Sequence, residues 1–184
     1  MSTAEFKLLF SGPMGAGKTT AINAISDQKV VSTDVANTDL GEFNKATTTA
    51  ALDYGYIDLG TGNGVRLYGT PGQERFRFMW PILANNAAGI IILLNGDHPQ
   101  LIEHLDLYVE AFWQGGNLPM LIGIGRLTAA EESEVLMQVM EHLERKHYSA
   151  PVVAVDVRQK EDVLMMVDTL LCLVEANDIG AVPL

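Results

Sequence analysis

Apolar positions along this chain come in short runs separated by longer amphipathic stretches. Phe6-Lys7-Leu8-Leu9-Phe10 predicts a strand that runs straight into a glycine-rich turn, and Ala21, Ile22 and Ile25 predict a helix after it. A polar stretch from Gln28 to Thr49, rich in Thr, Asp and Asn, has no period and reads as a long loop. Residues 50–59 and 64–69 predict two strands joined by Gly60-Thr61-Gly62-Asn63-Gly64, a hairpin signal. The continuous apolar run from Ala88 to Leu94 is what a strand buried on both faces requires. Leu101, Leu105, Tyr108 and Phe112 then fall at helical spacing, Pro119 to Ile124 predicts a strand, and Leu136, Met140 and Leu143 predict a helix. Pro151 to Val155 is the last predicted strand, and Val163, Val167, Leu170 and Val174 form the last helical stripe. Strands alternating with helices predict an α/β fold. Its six-stranded, mostly parallel sheet is covered on both faces, and the hairpin supplies one antiparallel edge strand.

Composition narrows the class. A length of 184 residues suits a single domain spanning 1–184, and 48% hydrophobic residues suffice for a substantial core. The single cysteine excludes an internal disulfide framework, which makes a reducing, cytoplasmic setting the expectation. No apolar run is long enough to span a bilayer, the first residues lack a signal-peptide layout, and neither end carries a lipidation motif, so no direct lipid anchor is expected. A net charge of -11 argues against nucleic acid as the main ligand. The charge is uneven: residues 1–95 hold 8 acids and 7 bases, a net of -1, and residues 96–184 hold 15 acids and 5 bases, a net of -10. An anionic ligand therefore belongs with the first half.

Gly12-Pro13-Met14-Gly15-Ala16-Gly17-Lys18-Thr19 satisfies the Walker A pattern at every defined position and lies between a predicted strand and a predicted helix. In such a loop the glycines let backbone N–H groups turn toward phosphates at the positive end of the helix. Lys18 would reach the β- and γ-phosphates and Thr19 would ligate Mg²⁺, with Gly12, Gly15, Ala16, Gly17 and Thr20 as further nucleotide contacts. The motif implies a nucleoside triphosphate without saying which one; kinases, motor ATPases and switch GTPases all share it.

Gly69-Thr70-Pro71-Gly72-Gln73-Glu74-Arg75-Phe76 follows the hairpin and resembles the switch II of Ras-like small GTPases. Its Thr-Pro-Gly-Gln is similar to that of the bacterial Ras-like group, which includes the gliding-polarity switch and GTPases encoded beside roadblock-type regulators. Residues 46–55 resemble that group's switch I. The resemblance covers nearly the whole chain. It implies a P-loop NTPase fold of Ras-like three-layer type that binds GTP or GDP with Mg²⁺, hydrolyses GTP slowly and acts as a switch for regulatory proteins, a roadblock-type regulator among them. It also implies that Thr49, with Thr48 as second choice, ligates the metal. By the same resemblance Gly72 offers its N–H to the γ-phosphate and Gln73 orients the attacking water.

The chain departs from the family's usual pattern at the metal-holding position and at the base site. Gly69 stands where small GTPases carry a metal-holding aspartate, with Asp53 and Asp58 on the preceding strand as nearby carboxylates. No arginine is an evident built-in finger; Arg75 and Arg77 read as solvated charges. The guanine-reading Asn-Lys-x-Asp is Gly125-Arg126-Leu127-Thr128 here. Arg126 would stack on a purine, Thr128 with Glu131 reads as a capping box opening helix 129–146, and Asp156 is the candidate carboxylate for the guanine edge. A nucleotide-binding scaffold with weakened guanine selectivity and a P-loop small-molecule kinase are the competing readings. The remaining chemistry-bearing residues have plain expectations: four exposed histidines, a buried Cys172, methionines on apolar helix faces, and Trp80 either packed under switch II or presented to a partner.

Overall fold

Strand β5, Gly89–Asn95, is buried at every residue and lies in the middle of the sheet. A run of Ile and Leu can be this apolar only where both sheet faces are covered. In this computed structural model, which describes residues 5–32, 52–60, 62–113 and 116–180, the coverage comes from helices on both sides. The other strands are β1 Glu5–Ser11, β2 Val31–Ser32, β3 Asp53–Gly60, β4 Asn63–Gly69, β6 Met120–Gly125 and β7 Val152–Ala154. They form one seven-stranded sheet in the order β2-β3-β4-β1-β5-β6-β7. β1 pairs in parallel with both β4 and β5, β5 with β6, and β6 with β7. Only β3 runs against its neighbours, antiparallel to β4 and to β2.

The six predicted strands are all present. The addition is β2, two residues long, which extends the sheet outside the hairpin. It is too short to leave a period in the sequence.

The helices are α1 Lys18–Ile25, α2 Trp80–Ala84, α3 Leu101–Phe112, α4 Glu132–Arg145 and α5 Lys160–Gly180, with a 3-10 helix Glu74–Met79 leading into α2. The pleat divides β5 between two cores. Ile90, Ile92 and Leu94 pack with Trp80, Leu105, Tyr108, Phe112, Val139 and Leu143 of α2, α3 and α4. Ile91 and Leu93 pack with Ala21, Ile22, Val163, Met166, Val167 and Leu170 of α1 and α5. The result is the three-layer, Ras-like P-loop architecture, with every loop that follows a parallel strand opening at one edge, where α/β sheets place their ligands.

Several expectations change. Helix α4 starts at Glu132, and the capping box is only half made: Glu131 accepts from the Thr128 N–H at 3.1 Å, while the Thr128 hydroxyl bonds that carboxylate at 2.6 Å and caps no N–H. Cys172 is exposed, because at two residues from both Leu170 and Val174 it lies on the opposite, outer face of α5. Met137, Met140 and Met165 are likewise exposed, and of the helix methionines Met166 joins the core. Among the histidines, only His147 is fully exposed; His142 bonds Asp106 at 2.8 Å, and His98 lies against His104.

Candidate functional site

The loop from β1 to α1 holds three of the six positive-φ glycines among the described residues. Gly12, Gly15 and Gly17 take φ values of 138°, 79° and 92°, a region that side chains avoid. At Gly12 space forbids a side chain as well, since a Cβ would lie 2.0 Å from the Leu93 carbonyl oxygen on β5. Gly17 caps α1 without a side-chain hydrogen bond, so the first N–H groups of the helix are left for a ligand in the loop.

Lys18 is 8% exposed and folds back over this loop, its Nζ donating to the carbonyls of Gly12 at 2.9 Å and Pro13 at 2.8 Å. Burial pushes its pKa down to about 8, and the nearby Asp53 carboxylate opposes that shift. The Thr19 hydroxyl donates to Asp53 Oδ2 at 2.5 Å. Asp53 opens β3, is 8% exposed and sits in register with Gly69 of β4. A Cβ at Gly69 would lie 3.0 Å from that same carboxylate oxygen. Asp53 thus fills the space that a side chain at position 69 would need. Asp58 does not share this role: it faces the hairpin turn, accepting from the Gly60 N–H at 2.8 Å.

Residues 70–80 lie against the loop. A Cβ on Gly72 would be 2.7 Å from both Lys18 Nζ and the Met14 nitrogen, an approach only glycine permits. Gln73 is exposed, with Nε2 3.9 Å from the sulfur of Met14. Trp80 is fully buried. Its indole N–H donates to the Pro71 carbonyl at 3.0 Å and its ring stacks on Tyr108, whose hydroxyl donates to the Gly72 carbonyl at 3.2 Å. Burial, reinforced by Glu74, raises the Tyr108 pKa and keeps it a neutral donor. Trp80 is therefore packing, and the exposed apolar residues here are Phe78 and Ile82. Arg75 lies over the Phe76 ring, and Arg77 is exposed.

Beyond the loop a cleft of about 640 Å³ is lined by Gly15, Ala16, Gly17 and Thr20, by Asn95, Gly125, Arg126 and Leu127, and by Asp156, Val157 and Arg158. Arg126 has φ 60° and donates from Nη2 to the Gly15 carbonyl at 2.8 Å, so its guanidinium spans one wall. Asp156 is held by Arg158 through Nε at 2.8 Å and Nη2 at 2.7 Å, which keeps its carboxyl down to about 2. Thr128 is engaged with Glu131. Every predicted contact from Gly12 to Thr20, with Gly72, Gln73, Arg126 and Asp156, lines the loop or the cleft; Thr48 and Thr49 lie outside the described residues. Asn95 and the pairing of Asp53 with Thr19 were not foreseen. The register of β3 on β4 is the signal that would have found the second.

No family model matches the chain. It is 26% identical over 113 residues to the Intraflagellar transport protein 22 homolog of Rattus norvegicus, covering 59% of this chain and 56% of that protein. The Homo sapiens homolog matches at 26% over 117 residues, covering 61% and 58%. The chain thus spans little more than half the length of these relatives. An uncharacterised protein of Methanocaldococcus jannaschii is 26% identical over 95 residues, 52% of this chain and 54% of its own. Among solved structures, a bacterial selenocysteine-specific elongation factor superposes on 93% of this chain and 29% of its own, with a TM-score of 0.65 and 16% identity, a likeness of fold.

Proposed function

We propose that this chain is a small GTP-binding regulatory protein that hydrolyses GTP slowly and changes the segment 70–80 according to the nucleotide it holds. The observation that carries the reading is the phosphate cradle: three positive-φ glycines, a capless helix start and a buried lysine placed over the loop. The likeness to the intraflagellar transport homologs and the elongation-factor fold support it. The gliding-polarity resemblance, a roadblock-type partner and a cytoplasmic setting belong to the same proposal. No helix among the described residues is long and apolar enough to cross a membrane.

The residues present fit Mg²⁺. The Thr19 hydroxyl and the Asp53 carboxylate are hard oxygen donors held 2.5 Å apart beside the cradle. No group of three or more His, Cys, Asp or Glu is gathered among the described residues, which suits a cation held mainly by phosphate and water. Bound there, the metal would neutralise charge on the β- and γ-phosphates. Thr19 and Asp53 would hold it, with Thr49 the further ligand that the family resemblance implies. Lys18 would exchange its two carbonyl bonds for phosphate oxygens. Gly72 would turn its N–H to the γ-phosphate, and Gln73 would orient the attacking water. The arginine that reaches the loop, Arg126, is committed to the Gly15 carbonyl, and without an arginine at the γ-phosphate the intrinsic rate would be low.

One observation favours the scaffold reading: Thr128 is engaged with Glu131 and presents no carboxylate to a guanine. A single experiment separates the two. GTP-loaded protein is expected to convert its nucleotide to GDP in a single turnover, and Gln73→Leu is expected to slow this by on the order of a hundredfold. An unchanged rate removes Gln73 from the mechanism, and no turnover at all leaves the scaffold. Displacement of labelled GTP by ATP at comparable concentration overturns guanine selectivity.

A further inference from the structure

Asn95 is the last residue of β5, at the sheet edge where the loops open. Its side chain lines the 640 Å³ cleft, and the residue is 8% exposed. No hydrogen bond to its side-chain amide exists among the described residues, although its backbone carbonyl accepts from the His98 N–H at 3.2 Å. The amide therefore faces the open cleft uncommitted, with its donors and acceptor available to a ligand that enters there. Several polar groups of the cleft are already committed: Asp156 to Arg158, the Asp162 carboxylate to the Asp156 N–H at 2.8 Å, and Arg126 to the Gly15 carbonyl. The in-register neighbour of Asn95 is Gly125 on β6, which brings no side chain to cover it. The same arrangement recurs at β3 and β4, where Gly69 leaves room for a buried polar residue in register, Asp53, to face the loop.

We propose that the Asn95 amide hydrogen-bonds the base of the bound nucleotide, with the Arg126 guanidinium beside it forming the wall on which a purine stacks. This rests on the nucleotide reading above and adds to it the residue that holds the base. An amide carries two donors and a two-lone-pair acceptor. It can donate to N7 or O6 of guanine, or exchange two bonds with N6 and N7 of adenine. Asn95 therefore raises affinity for either purine without choosing between them. The choice is left weak, because an amide serves either base and Thr128, engaged with Glu131, presents no carboxylate to a guanine.

The test compares GTP, ATP and inorganic tripolyphosphate, each with Mg²⁺, on the full chain and on Asn95→Ala and Asn95→Leu. Both variants should bind GTP and ATP about five- to tenfold more weakly, with tripolyphosphate affinity unchanged. Unchanged purine affinity overturns the proposal and leaves the nucleotide reading intact. A parallel fall in tripolyphosphate affinity shows a purely structural role and also overturns it. Failure of the unaltered chain to bind any of the three overturns the nucleotide reading itself. The unaltered chain gives a second measurement if both variants are insoluble: the Asn95 side-chain amide proton resonances should move on adding GTP and stay put on adding tripolyphosphate, and no movement with GTP overturns the proposal.

Discussion

Lys18 carries the strongest single-residue consequence. Its amine is buried over the loop and titrates near 8, against an ordinary value of 10.5. Burial disfavours the charged form, so in the folded chain without nucleotide the proton leaves once the pH passes about 8. A triphosphate beside the amine would reverse the shift, because an opposite charge within a few ångström favours the protonated form. Binding above pH 8 must then take up a proton, and affinity should fall by up to about tenfold per pH unit until the pKa of the bound state is reached. Calorimetric titration at pH 8.5 in buffers of different ionisation enthalpy reads that proton directly. Uptake near zero would mean that the amine is not the group facing the phosphates. The sign for folding follows from the same shift. The cost of burying a charged lysine is fully present below pH 8 and is relieved as pH rises from 8 toward 10.5, so Lys18→Met should stabilise the nucleotide-free fold at pH 7 while abolishing triphosphate binding.

The pair of strands β3 and β4 has a consequence of its own. Asp53 and Gly69 are in register, point to the same face and share one space. Gly69→Asp alone would press two carboxylates together. It should weaken Mg²⁺-dependent nucleotide retention and destabilise the fold, as would an unpartnered buried charge elsewhere. Asp53→Gly alone should accelerate nucleotide release and make it insensitive to EDTA. The double exchange, Asp53→Gly with Gly69→Asp, should restore slow, EDTA-sensitive release, and a double variant no better than either single one would separate Asp53 from the metal. Much of the architecture was legible because β5, β1 and the helix stripes each bury a periodic set of side chains. The P-loop was legible for a different reason, since its glycines answer to local backbone geometry. Asp53, Asn95 and β2 were not legible in the same way. Their positions depend on which strand lies beside which and in what register, a tertiary fact that leaves no local period. Thr128 shows the converse: a correct pairing with Glu131 read from local spacing, with the direction of one hydrogen bond different.

At the scale of the molecule, the two cores and the charge distribution isolate one edge as the working surface. The cleft is lined by Arg126 and Arg158, with Asp156 and, from the first turns of α4 and α5, Glu132 and Asp162, while further acids of residues 96–184, such as Glu134 and Glu161, sit on the same two helices. Acids in a first turn complement the helix dipole, so they stabilise these helices. In the proposed switch the segment that moves on this edge is the one carrying Gly72 and Gln73. It is tied to the core through Trp80, whose indole holds the Pro71 carbonyl one residue before Gly72. If Gly72 turns its N–H toward a γ-phosphate, Pro71 turns with it, and the bond to Trp80 and its stack on Tyr108 must adjust. The other tryptophan, Trp113, lies edge-on to Tyr148 at the far end of α3 and should not report this change. In a Trp113→Phe background, Trp80 emission should therefore differ between GDP and a non-hydrolysable GTP analogue, and Tyr108→Phe should reduce the difference by removing the hydroxyl that holds the Gly72 carbonyl. Identical spectra in the two nucleotide states, with binding of both verified, would mean that the segment does not respond to the γ-phosphate and that the fold serves as a static nucleotide holder.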